Sequence, residues 1–295
     1  MQIVVTGAAG LLGSNVVSVG NDRGHDVVGT YHSTKPSFEV PLYELDICDT
    51  DRFRELLDEH EPAVVINCAA MTDVDGCESA SSAASEVNGE APGELAAACE
   101  EHDVDFVHVS TDYVFDGTKT EPHTESDEPS PVQEYGASKL DGEQAVQSSH
   151  SNPLIARLSF VYGIDRSTGE LTGFPAWVRG RLEDGEETPL FVDQHVTPSR
   201  AGSTAETLVD AVENDSSGLF HVASRSCVTP YEFGEQVCAL MDASDALLQE
   251  GSQAALDRPA TRPEYTCLDV SKIEEELGRT QPTLSEDLAA IADAF

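Results

Sequence analysis

Ile3-Val4-Val5-Thr6-Gly7-Ala8-Ala9-Gly10-Leu11-Leu12-Gly13 is the stretch on which the fold turns. A short apolar run, of strand length, enters a G-x-x-G-x-x-G turn. Residues 11 to 20 then carry helical spacing. In a strand–turn–helix of this kind the first glycine permits the tight turn, the second lets backbone approach a pyrophosphate, and the third packs helix on strand. The helix N-terminus supplies unpaired N–H groups and the positive end of its dipole to the phosphates. Gly7, Gly10, Leu11, Leu12 and Gly13 are therefore candidate cofactor contacts.

Outward from this turn, apolar runs alternate with helical stretches. Strands are expected at Asp26–Tyr31, Ala63–Asn67, Asp105–Ser110 and Leu154–Leu158, with helices over 50–60, 83–101 and 138–147 between them. Strands separated by helices imply βαβ units and a parallel sheet. The fold class expected is α/β, a Rossmann-type doubly wound parallel sheet with a smaller C-terminal substrate-binding domain. The division expected is a cofactor domain of residues 1–162 plus 191–226 and a substrate domain of 163–190 plus 227–295. Residues 228–295 read as mostly helical, and Thr118–Pro131 as an acidic surface loop. A ligand site belongs in the crevice between the two parts.

Charge bounds the environment. Lys plus Arg number 16 against 55 Asp plus Glu, a net charge of −39 spread along the whole chain. Self-repulsion of this size destabilises a compact state in dilute buffer. At molar salt the Debye length falls to about 3 Å and screens it. The expectation is a protein of a high-salt cytoplasm, with neither nucleic acid nor an anionic membrane as partner, since little here would neutralise phosphates. No window approaches the roughly 18 apolar residues of a membrane span. Met1 runs straight into a strand pattern with no basic leader, so no signal peptide is expected. The 7 cysteines are odd in number and lack C-x-x-C spacing. They read as unpaired, small buried hydrophobes, with neither disulfide nor zinc.

Two features carry chemistry. Tyr135-Gly-Ala-Ser-Lys139 sets a phenol and an ammonium at i and i+4, on one helical face. A phenol of ordinary pKa, about 10, is a weak acid at neutral pH, and a neighbouring ammonium is expected to lower it. Lys139 can also hold ribose hydroxyls. Thr111 ends the strand beginning at Asp105, where its hydroxyl would face the ligand crevice. The second strand ends Thr30-Tyr31-His32-Ser33, with Lys35 close behind and no acid to take a ribose 2′-hydroxyl. That favours NADPH over NADH, with Tyr31 and Ser33 as candidate contacts.

The ordered set Thr6-Gly7-Ala-Ala-Gly10-Leu-Leu-Gly13, Asn67-Cys-Ala-Ala70, Thr72-Asp-Val74-Asp75, Ser110-Thr111-Asp112-Tyr113-Val114-Phe115-Asp116-Gly117, Tyr135-Gly-Ala-Ser-Lys139 and Arg157-Leu-Ser-Phe-Val-Tyr162 resembles the extended short-chain dehydrogenase/reductase family. More narrowly it resembles the dTDP-4-dehydrorhamnose reductase group, over nearly the whole chain. The resemblance implies a catalytic triad of Thr111, Tyr135 and Lys139 and reduction of the C4 ketone of a nucleotide-linked 6-deoxy-4-keto sugar. It places Asp46 and Ile47 at the adenine, Ala69 and Ala70 along the cofactor, and Val74, Thr111, Asp112 and Phe160 at the substrate. Bacterial members commonly carry tryptophan where this chain has Phe160. They are also associated with magnesium at an acidic dimer interface, which implies a homodimer; no glutamate here is singled out for that role. Arg157 matches the family motif either as a ligand contact or as part of a buried ion pair. Two other readings share the pattern. A sugar-nucleotide dehydratase or epimerase would need Asp-Glu after the strand-end threonine, where this chain has Asp112-Tyr113. A non-catalytic subunit like the regulatory subunit of methionine adenosyltransferase has serine in place of Thr111.

Overall fold

The computed structural model describes residues 1–295. β1 (Gln2–Thr6) passes through the glycine turn into α1 (Leu11–Asp22) and returns as β2 (Asp26–Tyr31). Then come β3 (Leu42–Glu44), α2 (Thr50–His60) and β4 (Val64–Asn67). α3 (Val74–Ser79), α4 (Ser81–Ala84) and α5 (Ala91–Glu101) lead to β5 (Asp105–Thr111), α6 (Glu134–Ser149) and β6 (Leu154–Leu158). The second half follows as β7 (Val161–Ile164), β8 (Leu171–Thr172), α7 (Phe174–Glu183), β9 (Thr188–Phe191), β10 (Ser199–Arg200), α8 (Ala201–Glu213), β11 (Gly218–His221), α9 (Pro230–Leu240), β12 (Leu248–Gly251), α10 (Ser271–Leu277) and α11 (Leu284–Ala289).

Seven strands form one sheet in the order β11-β6-β5-β4-β1-β2-β3, and every pairing in it is parallel. Helices cover both faces, so β4 and β6 are buried along their whole length. One core packs α1 and α8 against the sheet through Val16, Val17, Ala205 and Leu208. The opposite core packs α2 and α5 through Phe53, Leu56, Leu57 and Leu95. The strand order reverses between β1 and β4, and a doubly wound sheet opens its ligand crevice at such a reversal. Two small sheets, β10-β7-β8 and β12-β9, belong to the second half. A third core, with Tyr162, Leu190, Phe233, Val237 and Leu284, holds that lobe together.

The structure departs from the sequence expectations in four places. The helix expected over 83–101 is interrupted by a π-helical turn at Ser85–Glu90. Pro92 supplies no N–H to the carbonyl four residues back and its ring crowds that carbonyl, so the turn widens just before it. Residues 228–295 are less helical than expected, because β12 and a long irregular stretch separate α9 from α10. Leu268, Val270 and Ile273 pack into the α1–α8 side of the sheet, although the sequence division set them in the smaller lobe. Finally, Cys227 and Cys267 are disulfide-bonded, with Cα atoms 5.5 Å apart, where unpaired thiols were expected. Their separation of 40 residues concealed the pair. The segment at His195–Val196 bridges to Tyr265 and Val228, and so draws the two loops together. Of the other cysteines, Cys77, Cys99 and Cys238 are buried, while Cys48 and Cys68 are half-buried. No helix is long and apolar enough to cross a membrane.

Candidate active site

The glycine turn lies at the β1/β4 reversal. Gly7 adopts φ +70°, and a Cβ there would stand 2.8 Å from the backbone nitrogen of Ala69, just past β4. A Cβ on Gly13 would meet the carbonyl oxygen of Gly7 at 2.2 Å. Neither position admits a side chain, so backbone alone forms the cradle. Gly10 caps α1 without a side-chain hydrogen bond, which leaves the first-turn N–H groups to a ligand. Gly10, Leu11, Leu12 and Gly13 line a cleft of about 480 Å³. Gly7, Asp46, Ile47 and Ala69 line a second hollow of about 390 Å³, and Ala70 belongs to both. The two form one trough over the carboxyl ends of the strands. Tyr31 and Ser33 are not in its wall, whereas His32 is, with Nε2 3.8 Å from Asp46.

Thr111, Tyr135 and Lys139 meet in the 480 Å³ cleft together with Val74, Asp112 and Phe160. Tyr135 sits in the first turn of α6, which begins four residues earlier than the sequence suggested because Gln133 caps Gly136 N–H. Burial pushes the Tyr135 phenol above its ordinary range, and a hydrogen bond with Thr111 opposes this. The expected lowering by Lys139 is absent. Its ammonium is aimed elsewhere, donating to the carbonyl of Val109 at 2.7 Å and lying 3.3 Å from His108 Nε2. Burial brings Lys139 down to about 8, against the pull of Glu143 and Cys68. The outcome is a phenol held protonated beside a buried amine.

Beneath the cleft lies a desolvated polar floor. Arg157 donates to both carboxylate oxygens of Glu143 at 2.8 and 2.6 Å, and Ser110 donates to the same carboxylate. Both charged residues are 2% exposed, so Arg157 is a buried ion-pair partner. Asp112 lines the cleft, but its carboxylate is engaged: Ser159 donates to Oδ2 at 2.7 Å and Thr111 to Oδ1 at 3.1 Å. Burial raises this carboxyl to about 6. The cleft continues past Val74, Tyr113 and Phe160 into an outer cavity of about 600 Å³. Its walls include Phe174, Trp177, Phe191, Gln194, Arg258 and Arg262. Phe160 holds φ +46°, unusual for a bulky residue, and its ring packs 5.4 Å from that of Phe174.

The RmlD substrate binding domain family matches residues 1–295. A probable low-salt glycan biosynthesis reductase of Haloferax volcanii is 54% identical over 295 residues, covering 100% of this chain and 98% of that protein. The chain belongs to the dTDP-4-dehydrorhamnose reductase family of extended short-chain dehydrogenases/reductases. A dTDP-4-dehydrorhamnose reductase of Streptomyces griseus is 33% identical over 98% of this chain and 93% of that one. The crystal structure of a dTDP-4-dehydrorhamnose reductase from Clostridium acetobutylicum superposes with a TM-score of 0.86 at 29% identity, over 99% of each chain.

Several residues that shape the reductase's site escaped the sequence reading. His32 carries no motif of its own. Phe174 and Trp177 come from α7 and Arg258 from a distant irregular segment, and only the fold gathers them. Asn88 is fully buried. Its amide binds the backbone of Met71 at 2.8 and 2.9 Å and Ser138 Oγ at 3.2 Å, tying the π-turn and α6 to the wall of the trough. No group of three or more His, Cys, Asp or Glu side chains is arranged to hold a metal ion.

Proposed function

We propose that this reductase uses NADPH to reduce the C4 ketone of a nucleotide-linked 6-deoxy-4-keto sugar, in a high-salt cytoplasm. The observation that carries the reading is continuity. The glycine cradle, Thr111, Tyr135 and Lys139 share one cleft, and that cleft opens through Val74 and Phe160 into a cavity lined by two arginines and five aromatic side chains. Arginine matches a diphosphate in charge and geometry, and aromatic rings suit a base or a sugar face. The names of the Streptomyces and Haloferax relatives support the substrate class. The absence of an acid at the end of β2, with Lys35 nearby, supports NADPH. The backbone cradle of Gly7 and Gly13 fits a pyrophosphate, since a side chain at either would fill it. Residues 1–162 plus 191–226 form the cofactor domain in this reading, and 163–190 plus 227–295 the substrate domain, with 268–273 docked back on the sheet.

When bound, the dinucleotide supplies hydride to the carbonyl carbon. The protein's part is the proton and the geometry. Tyr135, held protonated by burial, donates its proton to the carbonyl oxygen. Lys139, held at the Val109 carbonyl and His108 and making no direct bond to Tyr135, would favour the phenolate left behind through its charge and hold the ribose hydroxyls. Asp112 orients Thr111, and Tyr113 N–H donates to Thr111 Oγ1 at 3.2 Å, fixing the hydroxyl at the cleft wall. Tyr113, in the place where a dehydratase would carry its glutamate, offers no base for elimination. The deciding experiment follows NADPH and NADH absorbance at molar KCl with dTDP-4-keto-6-deoxyglucose, with and without a 3,5-epimerase. Ketone-dependent oxidation supports the reading. A folded, NADPH-binding protein without turnover removes it in favour of the regulatory-subunit alternative.

A further inference from the structure

Thr6, Asn67 and His108 occupy one register line across three adjacent strands, β1, β4 and β5, at the sheet reversal. All three are at most 1% exposed. Thr6 Oγ1 lies 2.5 Å from Asn67 Oδ1, the Asn67 amide lies 3.2 Å from His108 Nδ1, and His108 Nε2 lies 3.3 Å from Lys139 Nζ. Four buried polar side chains therefore run in a file that ends on the amine of the active site.

We propose that His108 is a positioning residue for the reduction: a buried neutral imidazole whose Nε2 accepts a hydrogen bond from Lys139 and holds its ammonium in place. The inference rests on the reductase reading above. An ammonium has only donors, so Nε2 must be bare and the ring proton must sit on Nδ1. That tautomer requires the Asn67 amide to be turned over from the orientation in which Nδ2 faces the ring and Oδ1 accepts from Thr6, so that its oxygen takes the Nδ1–H and its N–H goes to Thr6. Burial and the Lys139 charge both keep His108 from protonating, so it remains an acceptor at neutral pH. The other groups around Lys139 leave His108 this task. Glu143, on the same helix, is spent on Arg157 and Ser110. The Cys68 thiol is raised to about 12 by burial. Tyr135 is the acid of the reaction, and Val109 offers only its carbonyl. A hydrogen bond to a charged group is stronger than one to its neutral form. Removing Nε2 therefore weakens the ammonium and lets Lys139 lose its proton at lower pH.

The test compares wild type, His108→Leu and His108→Gln at molar KCl. It reads the alkaline limb of kcat for the keto-sugar and, independently of turnover, the alkaline limb of NADPH binding by its fluorescence. His108→Leu is expected to move both limbs to lower pH by about one unit, with kcat at neutral pH down about twofold, since the protonated fraction of a Lys139 that starts at about 8 falls to about half at about pH 7. His108→Gln, whose amide oxygen can accept from Lys139, is expected to recover most of the shift. A folded His108→Leu whose limbs coincide with wild type overturns the proposal. If His108→Leu does not fold, Asn67→Leu, which frees the tautomer, is expected to shift the limbs in the same direction by less, and no shift there overturns it equally. Wild type without ketone-dependent turnover counts against the reductase reading and leaves the binding limb to decide the role of His108.

Discussion

At the base of the cleft and beneath it, Lys139, His108, Glu143 and Arg157 are each at most 2% exposed and bonded to one another or to sheet backbone. Above it, Arg258 and Arg262 ride on residues 252–266, an irregular run largely open to solvent whose helical content is one short 3₁₀ turn. That run is tied by two acids. Asp193 accepts from Ser252 at 2.5 Å and from Gln253 N–H, and Asp75 takes Arg262 through two bonds of 2.9 and 2.8 Å. The difference assigns labour. In the proposed reaction, the groups that move a proton are fixed in a dry layer where a misplaced charge is expensive. The arginines proposed to grip the substrate are carried on chain with few buried contacts, the kind of segment that opens first.

The comparison breaks most easily at Tyr135. Tyr135→Phe removes the proton donor and leaves the ring packing, so kcat is expected to fall by roughly 10²–10⁴-fold. NADPH binding, read by fluorescence titration, should change little. A small loss of kcat would mean that the floor does not carry the chemistry. The second break is in the floor's ion pair. Glu143→Gln leaves Arg157 buried and half-satisfied, which is expected to cost about 3–5 kcal/mol of stability. Thermal unfolding at molar KCl checks it. Loss within the range of a surface pair, about 1 kcal/mol or less, would show that water reaches the floor.

The same contrast explains what could be read from the residues alone. The floor is written in local patterns: strand, glycine turn and helix at residues 3–22, the i and i+4 pair Tyr135 and Lys139, and Thr111 at a strand end. Backbone geometry demands particular residue types there, so chemistry and sequence coincide. Arg157 was ambiguous until its partner Glu143, one helix away, was seen beside it. The roof has no such local signature. Arg258 stacks over Phe191 at 5.1 Å from the ring centroid, and Cys227 finds Cys267, only because distant segments converge. A lowered Tyr135 was expected from its i,i+4 spacing to Lys139, but spacing says nothing of desolvation, and burial instead raises the phenol.

A smaller effect sharpens the roof. Asp75→Ala frees Arg262 and one end of the strap while leaving the floor intact. KM for the nucleotide sugar is expected to rise about tenfold, equivalent to about 1.4 kcal/mol, with a lesser change in kcat. Steady-state kinetics separates the two. A fall in kcat with KM unchanged would mean that the strap positions the reacting carbon and does more than retain the substrate.

Asp112 is where floor and roof meet: it accepts from Thr111 and Ser159, and it lines the cleft that opens into the outer cavity. Burial holds its carboxyl at about 6, above the ordinary value of about 3.9. The folded state therefore keeps a proton that the unfolded chain has already released between those two values. Stability contributed by this group is present below about pH 4 and is lost as pH rises through 6. Asp112→Asn cannot ionise, so it escapes that loss. Its melting temperature relative to wild type is expected to improve from pH 4.5 to pH 7, measured at constant molar KCl to keep the acidic surface screened. A relative melting temperature that does not change with pH would mean that Asp112 ionises as it does in water. The junction would then be wet, and the separation between a dry catalytic floor and a solvated strap would have to be drawn deeper, at Ser110 and Glu143.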